Sequence, residues 1–222
     1  AKLYVITQSK QAATFYVDGL QLEEGSTATA WEAPPNIGIL GSAVGADTND
    51  PTWTETGAYF TTDDYLKAPV TLSTDCTIMS VHLPRSWATP TIEYGVGCGA
   101  ADTGICFERM AGHWYVGHSG VGRSSALGVD YSGYNAFVII HTGTTSTLWN
   151  AKYPSVSTSY TGTHTTGVST IIGAGANGTL RPTIATFSYF IIYNRVLTQS
   201  EIAKNYAYLK SYLKKNRGIA LP

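Results

Sequence analysis

Between Phe107 and Gly120 the chain reads FERMAGHWYVGHSG, its densest mixture of aromatic, cationic and imidazole side chains. Arg109, His113, Trp114, Tyr115 and His118 lie around a turn at residues 110–112. Sugar recognition uses such a set: aromatic faces stack on C–H surfaces, and a few polar groups read the hydroxyls. At strand periodicity Trp114 and Val116 point one way, and His113, Tyr115 and Gly117 the other. One set lines a core and the other is free to form a groove. The segment VDYSGYN adds Asp130, Tyr131 and Tyr134, and Trp87 stands in the loop PRSWATP with no partner at period two. These residues are the candidate glycan contacts, and packing onto a core is the competing role for each. Trp53 is equally ambiguous, and Trp149 reads as packing.

Other chemistries find less support. His118, Ser124 and Asp130 make a hydrolytic trio on paper, but serines abound and no Gly-x-Ser-x-Gly elbow is present. Glu23–Glu24 and Asp63–Asp64 are adjacent, so on strands their side chains would point to opposite faces. His141 sits in an apolar stretch and reads as a hydrogen-bonded core or edge residue. No Cys/His spacing suits zinc. Asp47, Asn49 and Asp50 could serve calcium, but a compact turn explains them equally well. No metal, cofactor or catalytic residue is expected. The three cysteines, Cys76, Cys98 and Cys106, argue against a disulfide framework. Cys98 and Cys106 flank GAADTGI, where a disulfide across a hairpin competes with small buried thiols.

The elements that would position these residues are strands. Of 222 residues, 43% are hydrophobic, enough for a core, while 13% are charged, about half the usual ~25%. The formal net charge is -1, and no basic tract precedes Lys210, Lys214, Lys215 and Arg217, which excludes electrostatic capture of nucleic acid as an expectation. No apolar run approaches the ~20 residues of a membrane span, so no membrane insertion is expected. CTIMSVHL (76–83) sets Met79, Val81 and Leu83 against Ser80 and His82, a half-buried strand. NAFVIIHT (135–142) is apolar on both faces and should be central. ATFSYFIIYNRVL (185–197) sets Phe187, Tyr189 and Ile191 against Phe190 and Ile192. Short strands separated by Gly, Asp, Asn and Pro turns predict an all-β fold of two antiparallel sheets. One helix closes it over 199–217. Thr198 and Glu201 form a capping box, Leu197 and Ile202 a hydrophobic staple, and Ile202, Tyr206, Leu209 and Leu213 one apolar stripe ending at Gly218. The stripe must bury against the sandwich or against a second copy.

FSYFIIYNRVLTQSEIAKNY, an aromatic strand ending in Tyr-Asn-Arg before a capped helix, resembles the close of concanavalin A-like (laminin-G-like jelly-roll) domains. GAYFTTDDYLKAPVTLSTDCTIMSVHLP, YNAFVIIHTGTTSTLWNAK and STIIGAGANGTLRPTIATFSYFIIYNRVL resemble upstream pieces of that family in order, over about residues 37 to 217. The family's hairpin turn commonly holds Asn-Gly, and here Asn150-Ala151 stands in its place. FYVDGLQLEEGSTATAWEAP instead resembles the last strand of a carbohydrate-binding jelly roll seen in phage tail proteins. Residues 1–35 are therefore expected to be a connector or remnant of a preceding β domain, with its strand at 13–23 paired to a sheet edge within the chain or across an oligomer, and 36–222 the sandwich. Glycosidases of this fold carry Glu-x-Asp-x-x-Glu, and its lyases carry Gln-Ile-His and Arg-Glu-Leu companions; neither occurs here. The resemblance implies a non-catalytic glycan-binding module in the receptor-recognition part of a bacteriophage tail fibre or tailspike. Its expected partner is a bacterial surface polysaccharide, its location the virion or the extracellular space, and its assembly a homo-oligomer, trimeric in a fibre. A structural fibre module, or a module of a secreted polysaccharide-degrading enzyme, is the alternative.

Overall fold

A computed structural model describes residues 42–43, 51–62, 64–68, 75–85, 91–98, 104–110, 113–118, 122–123, 133–151, 157–162, 169–175 and 182–222. All belong to the second of the chain's two units, Pro35–Pro222. The expectations for residues 1–35, and for the turn at 47–50, lie outside the described residues.

The strands are β1 (Ser42–Ala43), β2 (Thr52–Thr54), β3 (Gly57–Phe60), β4 (Leu66–Ala68), β5 (Asp75–Pro84), β6 (Thr91–Cys98) and β7 (Ile105–Met110). There follow β8 (His113–His118), β9 (Gly122–Arg123), β10 (Asn135–Thr142), β11 (Thr145–Asn150), β12 (Ser157–Thr161), β13 (Ser169–Ile172) and β14 (Ala185–Tyr193). They form two antiparallel sheets. The first runs β12-β11-β10-β5-β14-β3-β2 and the second β1-β4-β13-β6-β7-β8-β9. This is the two-sheet antiparallel sandwich with one C-terminal helix, α1 (Gln199–Arg217), that the strand and capping patterns predict, consistent with the jelly roll that the resemblance implies.

The core between the sheets takes Phe60, Ile78, Tyr94, Ile105, Phe107, Trp114, Val116, Phe137, Ile139 and Phe187. A second core lies on the outer face of the first sheet. There Met79, Val81, Val138, Ile191 and Tyr193 meet Ile202, Leu209 and Leu213 of α1, with Ile219 and Leu221 beyond it. Burying each leucine or isoleucine contributes about 1.5–3 kcal/mol, which fixes the helix to its sheet. The capping box forms as its sequence predicts: Thr198 accepts from the Glu201 amide at 3.3 Å, and the Thr198 amide donates to Glu201 Oε2 at 2.8 Å. Gly218 at φ 65° ends the helix, its amide donating to the Leu213 carbonyl.

The helix corrects the reading of β5. A half-buried strand was expected, with Ser80 and His82 as the polar face. Both faces are buried, because α1 covers Met79 and Val81, and His82 and Ser80 turn into the core between the sheets. Ser80 shares a 3.3 Å hydrogen bond with the Tyr94 hydroxyl of the opposite sheet. β10 lies between β5 and β11, central and two-sided as expected.

Strict alternation fails once in β14. Its register with β5 shifts between Phe187 and Tyr189. The bulge turns Phe187 to the same side as Phe190 and Ile192, and leaves Tyr189 and Ile191 towards α1. Gly57 lies against it at φ 143°, where a Cβ would stand 2.0 Å from the Phe187 carbonyl oxygen. Ser188 Oγ donates to the Thr56 carbonyl at 2.5 Å and pins the bulge to β3.

The turn between β10 and β11 is Gly143–Thr144, with Gly143 at φ 58°. Asn150 and Ala151 instead end β11, where the Ala151 amide still donates to the Ala136 carbonyl at 2.8 Å. Cys106 stands opposite Gly95 and Cys98 opposite Ser169, so the hairpin register does not face the two cysteines. Cys106 is a buried thiol, with Sγ donating to the Gly104 carbonyl at 3.8 Å. Burial, then the charge of Asp75, pushes the Cys76 thiol up to about 12.

Candidate functional site

The alternation read from HWYVGH is the one observed. Trp114 and Val116 are fully buried between the sheets, His113 is exposed and Tyr115 is half-buried on the other face. Register then decides what surrounds each. Arg109 pairs with Trp114, and Glu108 with Tyr115, so Arg109 shares the interior side.

Inside, Arg109 is 1% exposed and Nε donates to Glu93 Oε1 at 2.8 Å. Thr91 Oγ1 donates to the same oxygen at 3.0 Å, and Thr183 Oγ1 to Glu93 Oε2 at 2.9 Å. Arg109 Nη2 donates to Thr183 Oγ1 at 3.2 Å. A buried charge requires such compensation. Glu93 reaches this position from a register shift between Ile92 and Tyr94 in β6. Trp114 stacks on Phe107 at 4.9 Å, with the Arg109 guanidinium carbon 6.0 Å from its ring. Arg109 and Trp114 thus serve the core, and as folded they present no face to a ligand.

His82 lies beside them. Its ring stacks on Phe187 at 4.8 Å and meets Trp114 edge-on at 5.0 Å, with Phe107 and Phe137 closing the cage. Neither ring nitrogen finds a hydrogen-bond partner among the described residues. Burial, and after it the Arg109 charge, pushes its pKa down to about 3, so the imidazole is neutral. His141 is also buried, with Nδ1 2.9 Å from Ser146 Oγ, the core role expected of it.

The outer face of the second sheet is different. Ile171, Gly95, Cys106 and Gly117 stand side by side across β13, β6, β7 and β8. Three of these four are Gly or Cys, and all four are buried, so this floor, two interstrand spacings or about 10 Å wide from Gly95 to Gly117, is covered rather than open. The next row on the same face is Glu108 opposite Tyr115. Exposure rises across this face, from Glu108 at 4% to half-buried Tyr115 in that row and on to exposed His113, two residues along β8 and opposite Met110. The result is an aromatic edge and an imidazole above a buried carboxylate, on rigid strands.

The remaining candidates separate. Tyr134 precedes β10, half-buried against the core beneath α1, on the far side of the sandwich from Tyr115. His118 ends β8 opposite Ile105. Trp87, Asp130 and Tyr131 lie outside the described residues. The sequence reading did not single out Glu93, Thr183 or Glu108. The interior side of Arg109 was available from counting ICFERM at period two from Ile105 and Phe107.

No protein-family model matches the chain, and no curated protein matches it in sequence. Among solved structures it is similar to a Trypanosoma rangeli sialidase, at 14% identity and a TM-score of 0.50, over 67% of this chain and 26% of that one. It is similar to the botulinum neurotoxin type G receptor-binding domain, at 12% identity and 0.49, over 67% of this chain and 40% of that one. It is also similar to the Ruminococcus gnavus IT-sialidase CBM40 bound to alpha2,3 sialyllactose, at 13% identity and 0.48, over 60% of this chain and 83% of that one. At these identities the likeness is one of fold, and it covers well under half of the sialidase and of the toxin domain.

Proposed function

We propose that the chain is a non-catalytic glycan-binding module whose site is the outer face of the second sheet at His113 and Tyr115. The observation that carries this is the exposed His113 and half-buried Tyr115 on one outward face of β8, an imidazole beside an aromatic edge. A pyranose stacks its C–H face on Tyr115, and His113 reads its hydroxyls. Aromatic stacking with few polar contacts gives weak single-site binding, strengthened when several copies act together. The two carboxylates nearest the site support binding rather than hydrolysis. Glu93 is held by Arg109 within the sandwich and Glu108 faces outward, so they do not flank one bond as a glycosidase pair must. Titration calorimetry with bacterial surface polysaccharides and short glycans, sialyllactose included, tests the reading. Saturable binding weakened about tenfold in Tyr115→Ala, without new reducing ends or unsaturated products, supports it. Turnover, or affinity indifferent to Tyr115, overturns it.

The finer reading rests on FYVDGLQLEEGSTATAWEAP and its resemblance to phage tail modules. On it the chain is displayed on a virion, as the receptor-recognition part of a tail fibre or tailspike, and binds bacterial surface polysaccharide as a homotrimer. Light scattering that gives three copies, and adsorption of labelled chain to cells that is lost with their surface polysaccharide, support it. A monomer that binds no cell surface refutes it.

A further inference from the structure

The helix that closes the fold exposes two large aromatic side chains. Tyr208 is 64% exposed and Tyr212 37%, and their rings lie near-parallel, 20° apart, with centroids separated by 5.9 Å. They belong to the helix face beside the buried stripe of Ile202, Leu209 and Leu213. Tyr189 of β14 lies next to them: its phenol pKa is raised, first by burial and then by Tyr193, Tyr208 and Tyr212. Asn205 Nδ2 donates to the Tyr193 hydroxyl at 3.0 Å, tying the helix to this end of the cluster. At helical spacing Lys204 falls one turn before Tyr208 and Lys215 one turn after Tyr212, both exposed and on the same face. The four residues read Lys-Tyr-Tyr-Lys along about 16 Å of helix.

We infer that this face of α1 is a second saccharide site, on the opposite side of the sandwich from Tyr115, and that it takes a short acidic oligosaccharide. The stacked, exposed phenol rings supply aromatic surface on which a sugar can stack, and the lysines at either end supply the charge that selects carboxylates. Charge complementarity favours this occupant over a second copy of the chain. A stable protein interface buries about 1,200 Å² or more, while the large exposed apolar side chains of this region are Tyr208, Tyr212 and Val196. Two rings framed by cations suit a sugar rather than a subunit.

The test is a titration of the full chain, labelled with ¹³C in its tyrosine rings, with trigalacturonate and with its methyl ester. The ester keeps the rings of the sugar and removes its charge. Expected are saturable shifts of the Tyr208 and Tyr212 resonances, affinity for the acid at least threefold above the ester, and a loss of about tenfold in Tyr208→Ala/Tyr212→Ala. Lys204→Gln/Lys215→Gln should erase the preference for the acid. Both double variants change exposed residues, and an unchanged melting temperature shows that they fold. The proposal is overturned if the two rings do not shift at saturating acid, if the ester binds as well, or if the pair instead mediates a concentration-dependent dimer that the tyrosine variant abolishes. The Tyr115 resonance reports the other face separately. Shifts there alone overturn this site and leave the sheet-face reading standing, and shifts at Tyr208 and Tyr212 alone support this site without bearing on the other.

Discussion

Two Arg–Glu pairs among the described residues have similar lengths and opposite surroundings. Arg109 and Glu93 meet at 2.8 Å with side chains 1% and 0% exposed. Arg195 and Glu201 meet at 2.6 Å with side chains 58% and 36% exposed. In water the outer pair gains little, because solvent screens the charges and their long side chains lose freedom. Its use is local: Glu201 also receives the Thr198 amide and hydroxyl, so Arg195 steadies the cap of α1. The inner pair has no water to fall back on, and its members depend on each other. His82 supplies a third case in the same interior, a polar ring without a partner among the described residues that stays buried by remaining neutral.

The sharpest way to break this comparison is Glu93→Ala, which leaves the Arg109 charge buried without its carboxylate. A loss of about 4 kcal/mol in urea unfolding is expected. Replacing both partners, Glu93→Leu with Arg109→Met, should recover most of that loss; if it does not, the pair does more than cancel its own burial. Next comes acid. The folded pKa of His82 is depressed to about 3 from its ordinary 6.5, so between those values the unfolded chain binds a proton that the folded chain refuses. Stability is therefore fully present above about pH 6.5 and falls with pH, by about 3 kcal/mol at pH 4, a slope that His82→Phe should remove from the pH dependence of the unfolding midpoint. Thr198→Ala should cost about 1 kcal/mol by calorimetry, the ordinary worth of a helix cap. Arg195→Ala should have the smallest effect, and the difference should vanish when the melt is repeated in high salt. A large loss from Arg195→Ala would erase the contrast between the two pairs.

The sequence disclosed what depends on local periodicity. The two-sided apolar pattern of NAFVIIHT marks a central strand, HWYVGH assigns its faces correctly, and Thr198 with Glu201 locates the helix start to the residue. It was silent where two distant segments act on each other. Nothing within CTIMSVHL announces that α1 will lie over Met79 and Val81, which is what drives His82 inward. Nothing within ATFSYFIIY marks Ser188 as the bulge, because its cause is Gly57 and Thr56, far away in the chain. The candidate site was legible as a cluster but not as a surface. The aromatic and charged residues of residues 107–118 divide between the interior and the outer face, and only register with β6 and β7 shows that Gly95, Cys106 and Gly117 form the floor beside Tyr115.

The strand order of the first sheet also governs how the chain acquires its structure. β5 finds one neighbour, β10, within the following stretch of chain, but the other is β14, where Pro84 pairs with Ala185, 101 residues later. At a synthesis rate of about 5–20 residues per second, the middle of that sheet waits roughly 5–20 s for its last strand to emerge. During that interval an edge carrying Ile78, Met79 and Val81 has neither its neighbour nor the helix that will cover it. The sandwich therefore closes only once β14 and α1 have emerged, at the pace of long-range pairing, and the nascent chain is most open to aggregation just before they arrive.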